Sequence, residues 1–88
     1  MASDRNATTG SKPFDECTIA QVWSKAQAEL WFTFFKRDEF GATIAKQEYG
    51  KESEYGWAID HIVPISKGGT DAVDNLKPVH WKNVGRGR

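Results

Sequence analysis

Cysteine is nearly absent from this 88-residue chain. Cys17 is the sole one, which excludes a disulfide-stapled scaffold and a zinc finger or ribbon built on cysteine pairs. No apolar run approaches the ~20 residues a membrane-spanning helix needs. Residues 1–13 (MASDRNATTGSKP) lack the apolar segment of a secretory leader, so the expected setting is the cytoplasm. An excess of either charge is also missing, because 12 Lys+Arg offset 12 Asp+Glu. The broad basic stripe of a dedicated nucleic-acid binder is therefore excluded. The length admits one domain with a small core, which buries only about 60% of the surface of the unfolded chain.

What charge asymmetry there is lies toward the C-terminus. Residues 57–88 carry Lys67, Lys77, Lys82, Arg86 and Arg88 against Asp60, Asp71 and Asp74, a local net of +2. Residues 1–13 read as a disordered, polar arm, and 14–88 as a single domain. Thr18, with Gln21 three residues on, suits a capping box. Ile19, Val22, Trp23, Ala26 and Leu30 then repeat at helical spacing. The aromatic cluster of Trp31, Phe32, Phe34, Phe35 and Phe40 is expected to be core, because aromatics bury so much area. Cys17 is expected to be a buried small hydrophobe.

Residues 42–46 are a candidate short strand, and 47–56 a connecting loop bounded by glycine. Residues 57–63 alternate as a strand until Pro64 stops them, and 66–74 (SKGGTDAVD) form a Gly-rich loop. Residues 75–79 are extended, since the residue before Pro78 is held out of the helical region. A helix is expected to open at His80 and run to about Arg86. Trp57 and Trp81 are expected to wall the core.

The polar residues of this last third form a pattern. Asp60 and His61 are adjacent at a strand end, so their side chains point to opposite faces. Asn75 returns across the loop, and His80 and Asn83 share a face three residues apart. The run 55–71 (YGWAIDHIVPISKGGTD), followed by 74–83 (DNLKPVHWKN), resembles the HNH endonuclease family. The match covers about a third of the chain, and 36–50 is similar to the region preceding the core in small bacterial and phage members.

The resemblance implies an α+β fold with a ββα-metal (His-Me finger) core over about 55–88, buttressed by the N-terminal helix and aromatics. It implies a metal-dependent endonuclease acting on DNA. Asp60 would be a metal ligand for one divalent ion, Mg²⁺ or Mn²⁺, since a hard carboxylate oxygen suits those ions. His61 would be the general base that activates water, and Asn75 would pin the loop and orient His61. Relatives carry a second metal ligand about nine residues after the central Asn. That position without gaps is Val84, which cannot coordinate, so the second ligand is assigned to Asn83, with His80 as the alternative. Lys67, Lys82 and Arg86 are the candidate contacts to DNA phosphate. The neutral overall charge points to modest, salt-sensitive affinity, and to a partner protein as one route of delivery to DNA. Two other classes compete: a catalytically degenerate DNA-binding or assembly module of the same fold, and an interaction protein that uses the aromatic cluster as a groove.

Overall fold

A computed structural model describes residues 14–28 and 34–87. The arm at 1–13, together with Leu30, Trp31 and Phe32, lies outside the described residues. Among the described residues the elements are one α-helix, α1 (Glu16–Trp23), and five strands: β1 (Gln27–Ala28), β2 (Phe35–Arg37), β3 (Thr43–Ala45), β4 (Trp57–His61) and β5 (Leu76–His80). The α+β expectation holds, with the strands divided into two sheets. β1-β2-β3 form an antiparallel three-stranded sheet, and β4 pairs with β5 as a two-stranded antiparallel ribbon. Among the described residues, no helix is long and apolar enough to cross a membrane.

Helix α1 begins elsewhere than the capping-box pattern suggests. Asp15 is its cap, and its Oδ1 accepts the Thr18 N–H at 2.7 Å. Asp competes well for this position because its short side chain reaches the unpaired amides of the first turn. That bond holds the Asp15 carboxyl below the usual carboxylate range. The helix stops at Trp23, eight residues long, and the chain turns through Ser24 and Lys25 into β1. Cys17 lies on its outer face and is exposed, against the expectation of burial.

The core forms where α1 meets the ribbon. Val22, Trp23, Ala26, Ile44, Trp57, Ile59 and Leu76 are buried together, with Phe14 at one edge. Trp57 is fully buried, 5.2 Å from the Trp23 ring and 4.9 Å from Tyr49. Removing such a side chain typically costs 3–5 kcal/mol, a large share of the stability of any domain this small. Trp81 is only half-buried, so it is not the second core wall. Its ring stacks on His80 at 5.7 Å, and its indole N–H donates to the Ser53 carbonyl at 2.7 Å. Phe34 is likewise exposed rather than core, at 57%.

β4 is buried along four of its five residues, where sequence alternation suggested one solvent face. Trp57 and Ile59 face the α1 core. Ala58 and Asp60 face the other way, where the C-terminal segment covers them, as the Gly85 contact below shows. β5 tolerates Pro78 because it has a single pairing partner, in which Ile59 lies opposite that proline. The helix expected from His80 is not formed among the described residues. A single 3₁₀ turn (Trp81–Asn83) follows β5, and Gly85 then reverses the chain at a φ of 81°, which favours glycine. The ββα layout therefore ends here in a 3₁₀ turn.

Tyr49 carries a cost that can be measured. Its hydroxyl is buried with no hydrogen-bond partner among the described residues, and burial pushes its pKa from 10.0 up to about 12. Because the folded value is the raised one, the unfolded chain ionises first, and stability falls as pH rises from about 10 to about 12. Tyr49→Phe removes an unpaired polar group, worth about 1 kcal/mol. It is expected to raise the melting temperature at neutral pH and flatten the alkaline decline, as followed by circular dichroism.

Candidate active site

The ribbon sets the acid and the imidazole on opposite faces at the end of β4. Asp60 is buried at 3% exposure. Its Oδ1 accepts the His61 N–H at 2.9 Å, and its Oδ2 accepts the Gly85 N–H at 2.8 Å. His61 is half-buried on the other face, with its ring 6.3 Å from Phe14. Its Nε2 lies 2.8 Å from Asp71 Oδ1. A carboxylate only accepts, so Nε2 carries a proton, and the tautomer this selects has its lone pair at Nδ1. Asp71 was quoted in the sequence run without a role; its position ten residues after His61 gave no sign that the loop would fold it back onto the ring.

The loop between β4 and β5 is held by Asn75. Its amide oxygen accepts the Val63 N–H at 2.8 Å, and its NH₂ donates to the carbonyls of Val63 at 3.1 Å and Thr70 at 2.8 Å. The Asn75 backbone carbonyl accepts the Ile62 N–H at 2.8 Å. Asn75 itself closes a 3₁₀ turn (Val73–Asn75) rather than opening the strand. Gly69 fits this loop because a Cβ there would lie 1.7 Å from the Val63 carbonyl oxygen. Lys25, from the turn after α1, donates through Nζ to the carbonyls of Val73 and Leu76, on either side of Asn75. A lysine fifty residues away in sequence offers no local signal for that contact.

The two residues considered as a second metal ligand are engaged elsewhere. His80 Nε2 bonds to the Glu54 carbonyl at 2.7 Å, and its Nδ1 accepts the Lys82 N–H at 3.1 Å. Both ring nitrogens are used in one consistent neutral tautomer, so His80 braces the loop at residue 54 and has no lone pair left to coordinate. Asn83 is buried and donates to Asp38 Oδ2 at 2.8 Å, while its oxygen accepts from Arg86 at 3.2 Å. Val84 is exposed.

Asp38 is a further buried carboxylate. Its Oδ1 accepts the N–H groups of Phe40 and Ala42, and its Oδ2 accepts those of His80 and Asn83. One side chain thus ties the β2–β3 turn to the end of β5. Sequence pattern gave it no special status, since a lone Asp before a turn is common.

Asp60 offers only oxygen, the donor type that suits Mg²⁺ or Mn²⁺. Among the described residues, no three His, Cys, Asp or Glu side chains converge as a cation site. A donor set of this kind would leave an ion to complete its shell with water and phosphate oxygens. It does not fit a closed protein cage.

The candidate phosphate contacts are all exposed. Lys67 ends a 3₁₀ turn (Ile65–Lys67) on the loop after β4. Lys82 lies 5.4 Å from the Trp81 ring, and the Arg86 guanidinium 4.9 Å from the Phe40 ring. Lys82 and Arg86 line one shallow cleft of about 360 Å³ with Phe40, His80 and Asn83. Lys67 is not part of it.

The family model for HNH endonucleases matches residues 46–82, which span β4, the loop, β5 and most of the turn that follows. No curated protein and no solved structure matches the chain. Loss of the Asp38 carboxylate orphans four donors, two of them in buried positions. Asp38→Ala is expected to cost about 3 kcal/mol, within the range for breaking a buried polar network, and urea denaturation measures it.

Proposed function

With residues 46–82 forming an HNH endonuclease domain, we propose that the protein is a metal-dependent DNA endonuclease in which His61 activates water. The observation that carries this reading is the hydrogen bond between His61 Nε2 and Asp71, which leaves Nδ1 as the ring's acceptor. A water hydrogen-bonded to Nδ1 loses its proton to the ring as its oxygen attacks the scissile phosphorus. The P–O3′ bond breaks, and the departing 3′ oxygen takes a proton from solvent, leaving a 5′ phosphate and a 3′ hydroxyl. General-base help of this kind is worth roughly 10²–10⁴ in rate.

Each of the chain's other groups has a part. Asp71 fixes the tautomer and stabilises the imidazolium that forms, a positioning role. Asn75 holds Val63 and Thr70, so the loop that carries Asp71 cannot drift from the strand that carries His61. Asp60 would hold the divalent ion, which when bound would supply Lewis-acid stabilisation of the charge on the phosphate and the leaving oxygen. Asn83, whose oxygen accepts from Arg86, would have to release that bond to serve as a second ligand. Lys67, Lys82 and Arg86 contact the flanking phosphates, and three such cations give affinity that falls with salt.

Plasmid nicking in Mg²⁺ or Mn²⁺ tests the reading. His61→Ala is expected to lower the nicking rate at least about a hundredfold, and Asp60→Ala to abolish nicking while duplex binding survives. Chelation by EDTA should stop cutting in the unsubstituted protein. Asp71→Asn should lower kcat with KM nearly unchanged. Nicking that persists in His61→Ala removes that residue from its role. DNA binding with no cutting under any metal identifies a degenerate binding module.

A further inference from the structure

The large apolar side chains exposed among the described residues are Phe34, Tyr55, Ile62, Val63, Ile65 and Val84. Four of these six lie within a few residues of His61 or of Gly85 along the chain. Ile62 and Val63 follow His61 directly, and Ile65 lies just past Pro64. Val84 precedes Gly85, whose N–H is bound to Asp60 at 2.8 Å. Their exposures are 49%, 44%, 41% and 40%.

The loop that presents the first three is not loose. Ile62 and Val63 are tied to Asn75 through their backbones, and the N–H groups of Lys67 and Gly69 both donate to the Pro64 carbonyl at 2.9 Å. The backbone is braced by hydrogen bonds while the side chains stay in water. Single exposed aliphatics are ordinary, whereas a cluster around one centre marks a contact surface. Any phosphodiester that reaches His61 brings its neighbouring sugars and bases within reach of this rim, with Lys67 on the same loop and Arg86 beyond Val84 available to the phosphates.

Aliphatic side chains find no partner in the phosphates of a paired duplex; their partners are base faces, base edges and sugar C–H groups. Apolar wedges of Ile, Leu or Pro enter DNA by partly unstacking a base step, at a cost of a few kcal/mol. That cost is least where bases are already unpaired. A chain with no net charge has little long-range attraction to duplex DNA to offset it. We propose that Ile62, Val63, Ile65 and Val84 form an apolar wedge around the reactive pair that selects DNA with unpaired or easily unstacked bases beside the cut phosphate. This rests on the nuclease reading above and names its substrate class.

The test uses the full chain carrying His61→Ala, which does not cut. Fluorescence anisotropy compares a short, fully paired duplex with the same duplex bearing a central unpaired bubble. The bubble is expected to bind about tenfold tighter, a fraction of the few kcal/mol that unstacking a step costs. Adding Ile62→Asn and Ile65→Asn, which leave the backbone hydrogen bonds of the loop in place, should reduce the preference to under about twofold. Affinity for the paired duplex and the melting temperature should hold. Equal binding of the two DNAs, or a preference that survives the double substitution, overturns the wedge. A dimer in sedimentation that the double substitution dissociates, with no DNA preference, also overturns it and assigns the rim to a second copy. Cutting is scored separately on the unsubstituted protein: cleavage of both DNAs without preference sinks the wedge alone. Binding preference with no cleavage supports the wedge and sinks the nuclease.

Discussion

Three hydrogen bonds from one amide, that of Asn75, decide where the chemistry-bearing groups of this protein stand. The loop between β4 and β5 is long, polar and rich in glycine, and free in solution such a segment would sample many shapes. Asn75 can satisfy donor and acceptor at Val63 together and still reach Thr70, because it offers both an oxygen and two N–H groups. Aspartate could not do this, since it only accepts. With the loop closed, Asp71 meets His61 and the imidazole has a defined tautomer. Lys25 secures the same turn, so the segment that follows α1 contributes to the site.

A second buried polar centre, Asp38, performs the corresponding task for the C-terminal segment. It gathers the β2–β3 turn, the His80 amide and Asn83 into one node. The segment then folds back, so that Gly85 reaches Asp60. The acid proposed to hold the ion accepts the backbone N–H groups of His61 and Gly85. In the proposed reading, an ion at Asp60 would complete its shell with water and substrate oxygen. A small core gives little rigidity, and these hydrogen-bonded nodes supply what burial cannot.

Much of this was legible in the sequence. The alternation of 57–61 sets Asp60 and His61 on opposite faces without any tertiary information. Pro78 fixes an extended segment, and the spacing from His61 to Asn75 suits a ribbon whose loop folds back. The failures have physical causes. Thr18 looked like a cap because it stands before Gln21, yet Asp15 lay three residues upstream and won the same amide. The apolar spacing continued past Trp23, but the chain turned there into β1, since pairing with β2 outweighed local helical preference. Cys17 lay on the outer face of a helix too short to be covered. His80 had the residue type of a ligand, and only its two bonds showed that both nitrogens were in use.

The sequence by itself determined which residues alternate, where the ribbon must break, and the acid–imidazole–amide pattern, because those depend on near neighbours along the chain. Tertiary structure alone decided that Asp71 would meet His61, that Asp38 would join two distant segments, that Lys25 would clamp the turn at Asn75, and that a 3₁₀ turn would follow His80. Each of these couples groups from ten to more than fifty residues apart, or sets local helical preference against long-range hydrogen bonds. Such couplings depend on which surfaces the core brings together, and no pattern of neighbours encodes that.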